Sequence, residues 1–392
     1  RVSYVQDLTE RERAAQEIRR LNTELEQRVI ERTAELSAVV VHDAVSAPAE
    51  QACAELEPSV PLLLLDQQTL AAPSGDLEVR EPVERAADDL AVLLFTSGTT
   101  GEPKGAALTH DNVTSNAWMT TRMFSYVPED VTLGALPFFH VFANTALLNH
   151  AMVTGGSIAM VPRFETKQVL ETIQRYRCTG FPGVPTMFQA MLDHPDLAKT
   201  DLSSLKVCIS GGAPMPGPVH EKFEAVTGVR ICEGYGLTES SGVVSANPYD
   251  GTRKRGTIGQ LVPGTEVALL DKEDPTKLAP EGEPGELAVH GPQVMRGYWN
   301  RPEADGDCFA TIDGKRYLRT GDVARVDADG FLEIVDRIKD MIAVGGFKVF
   351  PSVVEDVILE HPAVKEALVI GVPEEYRGEV PRAYVTLNEG TP

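Results

Sequence analysis

The stretch LLFTSGTTGEPKG, residues 93–105, runs from an apolar strand into a loop of hydroxyls, glycines and a single lysine. That composition is a phosphate cradle. Gly98 and Gly101 let backbone N–H groups converge on an anion without a Cβ in the way, Thr96, Ser97, Thr99 and Thr100 add donors, and Lys104 supplies a mobile positive charge. The loop is not of the Walker type, because counting from Gly98 puts Pro103 where that motif needs its second glycine. Outward from the loop, β-like and helical runs alternate. LAVLLFT (90–96) precedes a helical stretch from Asn112 to Phe124, SIAMVP (157–162) one from Thr166 to Tyr176, and LKVCIS (205–210) one from Gly217 to Val226. This order predicts an α/β fold with a doubly wound parallel sheet, helices on both faces.

After Thr257 the texture changes to strand and turn, with DADG (327–330) expected as a hairpin turn. From Met341 to Leu387 a helix near Val353–Glu360 and strands at Ala367–Ile370 and Ala383–Leu387 predict a small α+β subdomain. The start of the chain is different. From Thr9 to Leu36 there is no Gly or Pro, and Ile18, Leu21, Leu25, Val29 and Leu36 recur at threes and fours, the pattern of an amphipathic helix. Arg32 on the seam limits any coiled coil to a short one, so a homodimer through residues 9–36 and a single solvated helix are both open. Residues 42–88 read as a linker with one apolar strand at Val60–Leu65.

Composition narrows the function classes. The 392 residues carry a formal charge of −22, which argues against nucleic acid as a partner and against tight contact with anionic membranes. Five scattered cysteines (Cys53, Cys178, Cys208, Cys232, Cys308) without C-x-x-C spacing suggest neither a disulfide framework nor a zinc site. No apolar run reaches the ~18 residues of a membrane span, so the expected location is cytoplasmic, with peripheral attachment to the inner face of the membrane as a second option.

TSGTTGEPKG (96–105) matches the phosphate-loop signature of the adenylate-forming superfamily, which includes acyl-CoA synthetases, firefly-type luciferases and peptide-synthetase adenylation domains. Further motifs resembling that family follow in its order over residues 89–392. SGGAPMP (210–216) resembles the segment that lines adenine, giving Gly212, Ala213 and Pro214 as nucleotide contacts. EGYGLTES (233–240) resembles the nucleotide motif, in which Gly234 and Gly236 flank Tyr235, the adenine platform, Thr238 meets the α-phosphate and Glu239 helps hold Mg²⁺. YLRTGD ends in Asp322, implied to accept the ribose hydroxyls. DRIKDMIAVGGFKVFP brings Arg337 as a ribose and phosphate contact, Lys339 as a hinge, and Gly345, Gly346 and Phe347 beside the path of coenzyme A. His140, in LPFFHVFA, reads equally as a gate on the acyl and thiol path or as a core histidine. Phe181–Pro185 (FPGVP) reads as a wall of the acyl pocket or as a plain apolar strand.

The resemblance is strongest to bacterial long-chain fatty acid–CoA ligases, through EGYGLTESSGVVSANPYD, GPQVMRGYWNRPEA and DRIKDMIAVGGFKVFPSVVEDVILEHPAV. It implies ATP, Mg²⁺ and coenzyme A as cofactors and a fatty acid, medium- or long-chain, as substrate, with dicarboxylic and aryl acids still open. Thr238, Glu239, Lys104 and His140 are the implied catalytic residues. The expected division is a helix over 1–40, a linker with a remnant of the large domain over 41–88, an AMP-binding large domain over 89–338 and a shortened small domain over 339–392. The family's catalytic lysine in a Gly-Lys string has no counterpart after Lys365, so weak acid activation is the expectation, with thioesterification of supplied acyl-AMP surviving. Residues 2–36 resemble the linker after a PAS domain in sensor histidine kinases. His42, Asp43 and Pro48 echo a phosphoacceptor motif with the wrong spacing, and nothing resembles the kinase ATP lid, so signalling ranks below the alternative of an inactive adenylate-binding fragment fused to a signalling helix.

Overall fold

The computed structural model describes residues 39–42, 62–65, 84–96, 103–344, 347–359, 361–374 and 376–388. Contacts divide the chain into two compact units, Arg1–Glu84 and Arg85–Pro392. In the first, β1 (Val39–His42) and β2 (Leu62–Leu65) pair in parallel. Of the Val60–Leu65 run, Leu62–Leu65 is thus a strand, whereas a strand at VVVH was not expected so close to the helical pattern. The helix read over Thr9–Leu36 lies outside the described residues.

The second unit opens with β3 (Leu90–Thr96) and β4 (Lys104–Thr109), an antiparallel hairpin in which Thr96 faces Lys104. This corrects the expectation that LAVLLFT feeds a helix as part of the parallel sheet. KGAALT has little intrinsic strand preference. Burial decides it: Ala106, Ala107 and Leu108 are covered, and Ala106 and Leu108 pack with Val113, Met295 and Leu318. The helix that follows, His110–Phe124, starts at a capping box in which Thr109 and Asn112 bond each other's backbone N–H.

The predicted alternation then appears. Strands β5 (Val131–Gly134), β6 (Ser157–Met160), β7 (Gly180–Gly183), β8 (Val207–Ser210) and β9 (Arg230–Tyr235) are parallel, and β10 (Ser245–Ala246) and β11 (Gln260–Leu261) extend the sheet antiparallel. The order is β11-β10-β9-β8-β7-β5-β6. Both faces are covered, and β8 shows it by alternation. Cys208 packs with Phe181, Phe188 and Phe223 of one core, while Val207 and Ile209 pack with Phe124 on the opposite face.

The strand-and-turn part is an antiparallel sheet of β12 (Glu266–Leu270), β13 (Gly285–His290), β15 (Phe309–Ile312), β16 (Lys315–Val326) and β17 (Leu332–Arg337), while β14 (Gly297–Tyr298) leaves it to pair with β4. The DADG turn joins β16 to β17, with Gly330 at φ 79°. The last part holds β18 (Ile342–Val344), β19 (Phe347–Val349), a helix at Pro351–Leu359 and the long hairpin β20 (Val364–Glu374) and β21 (Gly378–Leu387). Helix and strands fall where the sequence pattern put them. Among the described residues no helix is long and apolar enough to cross a membrane.

One buried group makes this fold sensitive to acid. His150 is 3% exposed, faces Thr120 through Nε2 and stacks obliquely 5.0 Å from Tyr126. Burial pushes its pKa down to about 4. The folded state holds it neutral while the unfolded chain takes up a proton below ~6.5. Stability is therefore complete above that pH and falls as pH drops toward 4, by up to about 3 kcal/mol. Thermal unfolding from pH 7 to 4 should show this slope in wild type and a flatter one in His150→Gln.

Candidate functional site

Lys104 stands at the base of the loop that leaves β3. Across the mouth, the Thr96 hydroxyl lies 3.4 Å from the Lys104 carbonyl oxygen. Ser97, Gly98, Thr99, Thr100 and Gly101 lie outside the described residues. The Lys104 ammonium sits 5.4 Å from the ring centre of Tyr298, a cation over an aromatic face. Tyr298 in turn donates its hydroxyl to Glu239 Oε1 at 2.7 Å. Burial and that carboxylate both push the phenol's pKa up, so it stays a donor.

Glu239 belongs to a folded-back turn whose shape is set by close packing. After β9 the chain enters a short 3-10 turn at Thr238–Ser240, and Gly242 returns its N–H to the Leu237 carbonyl at 3.1 Å. A Cβ on Gly236 would overlap the Gly242 carbonyl, so only glycine fits there. Four neighbours hold the turn from outside. Buried Asn116 donates from Nδ2 to the Val243 carbonyl at 2.7 Å and accepts the Val243 N–H at 3.1 Å. The Thr145 hydroxyl donates to the Ser241 carbonyl, and the Ser241 hydroxyl to the Gln293 carbonyl. The Met295 N–H reaches the Glu239 carbonyl at 2.8 Å.

At the other end of the turn, Tyr235 donates to Asp322 Oδ2 at 2.5 Å, while Arg337 Nε reaches Asp322 Oδ1 at 2.9 Å. Asp322 is 4% exposed and both its oxygens are engaged. Strand pairing does this, since Asp322 on β16 lies opposite Arg337 on β17. Thr320 caps the Asp322 N–H, and buried Glu286 takes Arg319 and the Gly321 N–H, stiffening the TGD corner. Tyr235 and Glu239 are four residues apart, so their Cα atoms are separated by at most about 14 Å. Lys104 and Asp322 are thus linked through Tyr298, Glu239, the turn and Tyr235.

The remaining sequence candidates divide. Gly211, in SGGAPMP, bonds the Gly183 carbonyl, and a Cβ there would stand 3.3 Å from Phe142 and 3.4 Å from the Gly234 carbonyl. That segment therefore packs against both the EGYG strand and the HVFA turn. Gly212 takes φ 80°, and Gly212, Ala213 and Pro214 are exposed. His140 is exposed and caps the turn Val141–Ala143, its Nδ1 accepting the Phe142 N–H at 3.1 Å. Phe139 beside it is 81% exposed, so no core surrounds His140. In FPGVP, Phe181 lies on β7 and is fully buried, its ring centre 5.1 Å from that of Phe188, while Val184 and Pro185 leave the strand for the following helix. Lys339 lies in the 3-10 turn Ile338–Asp340 after β17, Phe347 begins β19, and Gly345 and Gly346 lie outside the described residues.

Sequence reasoning missed Asn116, Thr145, Glu286, Gln293 and Tyr298. Gln293 and Tyr298 sit in GPQVMRGYWNRPEA, a string noted for its resemblance and given no role. Asn116 shares its buried helix face with Asn112, Thr120 and Thr121, so its polarity did not single it out, and neither Asn116 nor Thr145 shows its partner in the sequence.

The family model for AMP-binding enzymes matches residues 17–299, and that for the AMP-binding enzyme C-terminal domain matches residues 353–392. The first match begins inside the stretch read as a signalling linker. The chain is similar to a long-chain-fatty-acid–CoA ligase of Bacillus subtilis (strain 168), 44% identical over 304 residues, 77% of this chain and 53% of the relative. A feruloyl-CoA synthase of Amycolatopsis sp is 37% identical over 82% of this chain and 65% of its own length. The chain spans about half the length of the ligases it matches. Among solved structures, ATP-bound MatB from Rhodopseudomonas palustris superposes with a TM-score of 0.83 at 33% identity, covering 93% of this chain and 71% of that one.

The glycine at the turn can be tested directly. Gly236→Ala should lose about 3 kcal/mol or more in urea unfolding, because backbone cannot yield as a side chain would. Gly217→Ala, where an added Cβ meets nothing within 4 Å, should change stability by less than about 1 kcal/mol.

Proposed function

The chain belongs to the AMP-binding enzyme family, and on that premise we propose that it joins a fatty acid to coenzyme A at the cost of ATP. The observation that carries the reading is the linked pair of contacts, Lys104–Tyr298–Glu239 at one end of the turn and Tyr235–Asp322–Arg337 at the other. One end suits a polyphosphate and the other a ribose. The names of the ligases that are 41–44% identical to this chain support a long-chain acid over a dicarboxylic or aryl one.

A carboxylate is a poor electrophile, so it must be activated. Its oxygen attacks the α-phosphorus of ATP, pyrophosphate leaves, and the thiol of coenzyme A then attacks the acyl carbonyl and expels AMP. Lys104, Thr96 and Thr238 supply positive charge and donors where negative charge grows. Tyr235, with Gly212, Ala213 and Pro214 alongside, receives adenine, and Asp322 with Arg337 receives the ribose. Because Asp322 is already hydrogen-bonded on both oxygens, ribose exchanges one partner for another instead of meeting a bare buried charge.

Glu239 fits a magnesium ion. Oε2 has no protein donor among the described residues, and Mg²⁺ favours one or two carboxylates plus phosphate oxygens over an all-protein cage. Bound there, the ion would neutralise phosphate charge. Residues 89–338 would form the nucleotide-binding large domain, 41–88 its preceding remnant and 339–392 the small domain, turning at Lys339 to bring Gly345, Gly346 and Phe347 to the thiol path, with His140 at its entrance. A cytoplasmic location, where ATP and coenzyme A are at hand, and a dimer through residues 9–36 complete the reading.

Pyrophosphate release with ATP, Mg²⁺ and a panel of fatty acids tests it. Wild type should release pyrophosphate only when an acid is present. Lys104→Ala should be slower by about 100-fold, and Asp322→Asn should raise the KM for ATP about tenfold. Nucleotide binding with no acid-dependent release would favour an inactive adenylate-binding fragment instead.

A further inference from the structure

We propose that Tyr298 is a positioning residue that holds Glu239 in the orientation needed for a nucleotide-bound divalent cation and keeps it from pairing with Lys104. The inference rests on the reading of Glu239 as the metal carboxylate.

Tyr298 touches both charged groups with different parts of one side chain. Its ring face lies 5.4 Å from the Lys104 ammonium, and its hydroxyl donates to Glu239 Oε1 at 2.7 Å. A lysine and a glutamate this near a common residue would otherwise close into an ion pair, cancelling the charge each carries toward phosphate and metal. With the aromatic ring between them, the cation is satisfied by a π face and the carboxylate by a neutral donor, so both keep their charge. Bonding one oxygen also fixes the plane of the carboxylate. A free glutamate has several rotamers, and order imposed in advance need not be imposed when the ligand arrives.

The backbone of the tyrosine is itself held on two sides. It pairs with Ala106 on β4, two residues after Lys104, and its N–H donates to Asp305 Oδ1 at 2.8 Å. A side chain at Gly297 would displace the Asp305 carboxylate that accepts the Tyr298 N–H. The same segment runs along the motif turn, with Gln293 on Ser241 and Met295 on the Glu239 backbone. The hydroxyl bond is thus the third of three contacts between Gln293–Tyr298 and the Glu239 turn. It is the only one of the three that reaches the carboxylate.

The test is calorimetric binding of ATP to the full chain, with excess chelator and across a range of free Mg²⁺. Wild type should bind ATP more tightly as Mg²⁺ rises. In Tyr298→Phe, which keeps the ring over Lys104 and removes the hydroxyl, the Mg²⁺ concentration at half-maximal effect should rise about tenfold, while affinity for metal-free ATP moves far less. Tyr298→His perturbs packing differently and should give the same shift should the Phe variant fail to fold. In Glu239→Gln the Mg²⁺ effect should vanish, and adding Tyr298→Phe should change nothing more. A Tyr298→Phe protein with wild-type Mg²⁺ dependence overturns the proposal, as does wild-type ATP binding indifferent to Mg²⁺. Mg²⁺-dependent binding in wild type without acid-dependent pyrophosphate release removes the ligase reading and leaves the role of Tyr298 standing.

Discussion

Asn116 gives both ends of its side-chain amide to the backbone of Val243, from a helix otherwise packed on the sheet. Buried amides are costly unless every polar atom is matched, so this clasp permits little freedom in the turn it holds. Gly236 and Gly242 let the turn fold back on itself, and Thr145 and Gln293 close its sides. Everything chemical is spaced by that turn. Tyr235 leaves one end toward Asp322, and Glu239 leaves the other toward Tyr298 and Lys104.

The two buried carboxylates of the site are handled in the same manner. Asp322 and Glu286 are almost fully buried, and each meets an arginine together with a second donor, Tyr235 for one and the Gly321 N–H for the other. Breaking one such pair would strand a buried charge, which is why the TGD corner is rigid. Lys104 and Glu239 follow a different rule, being joined through a tyrosine and not to one another. The difference suits the proposed chemistry, where ribose trades one hydrogen-bond partner of Asp322 for another while Lys104 and Glu239 keep their charge for phosphate and metal.

Much of the fold was legible because apolar periodicity reports burial. The runs SIAMVP and LKVCIS with their following helices, the DADG turn, and the helix and strands of the last fifty residues all stand close to where spacing placed them. The exception is instructive. LAVLLFT resembles any buried strand, and its partner KGAALT has almost no strand signal, so the hairpin was invisible until the small residues Ala106 and Ala107 were seen packed under neighbouring elements. Small side chains carry little propensity and admit close approach, and only the approaching partner reveals which property is in use.

The sequence by itself determined the kinds of groups at the site. A loop of hydroxyls and glycines with one lysine, a Gly-Tyr-Gly turn with an acid, and an aspartate after Thr-Gly are local strings, and local chemistry needs only neighbours in the chain. Tertiary structure alone decided which groups meet. Asn116 reaches Val243 across 127 positions, Tyr235 reaches Asp322 across 87, and Glu239 reaches Tyr298 across 59. Such pairings depend on strand order and register, which arise from packing the whole chain at once, so no window of sequence contains them.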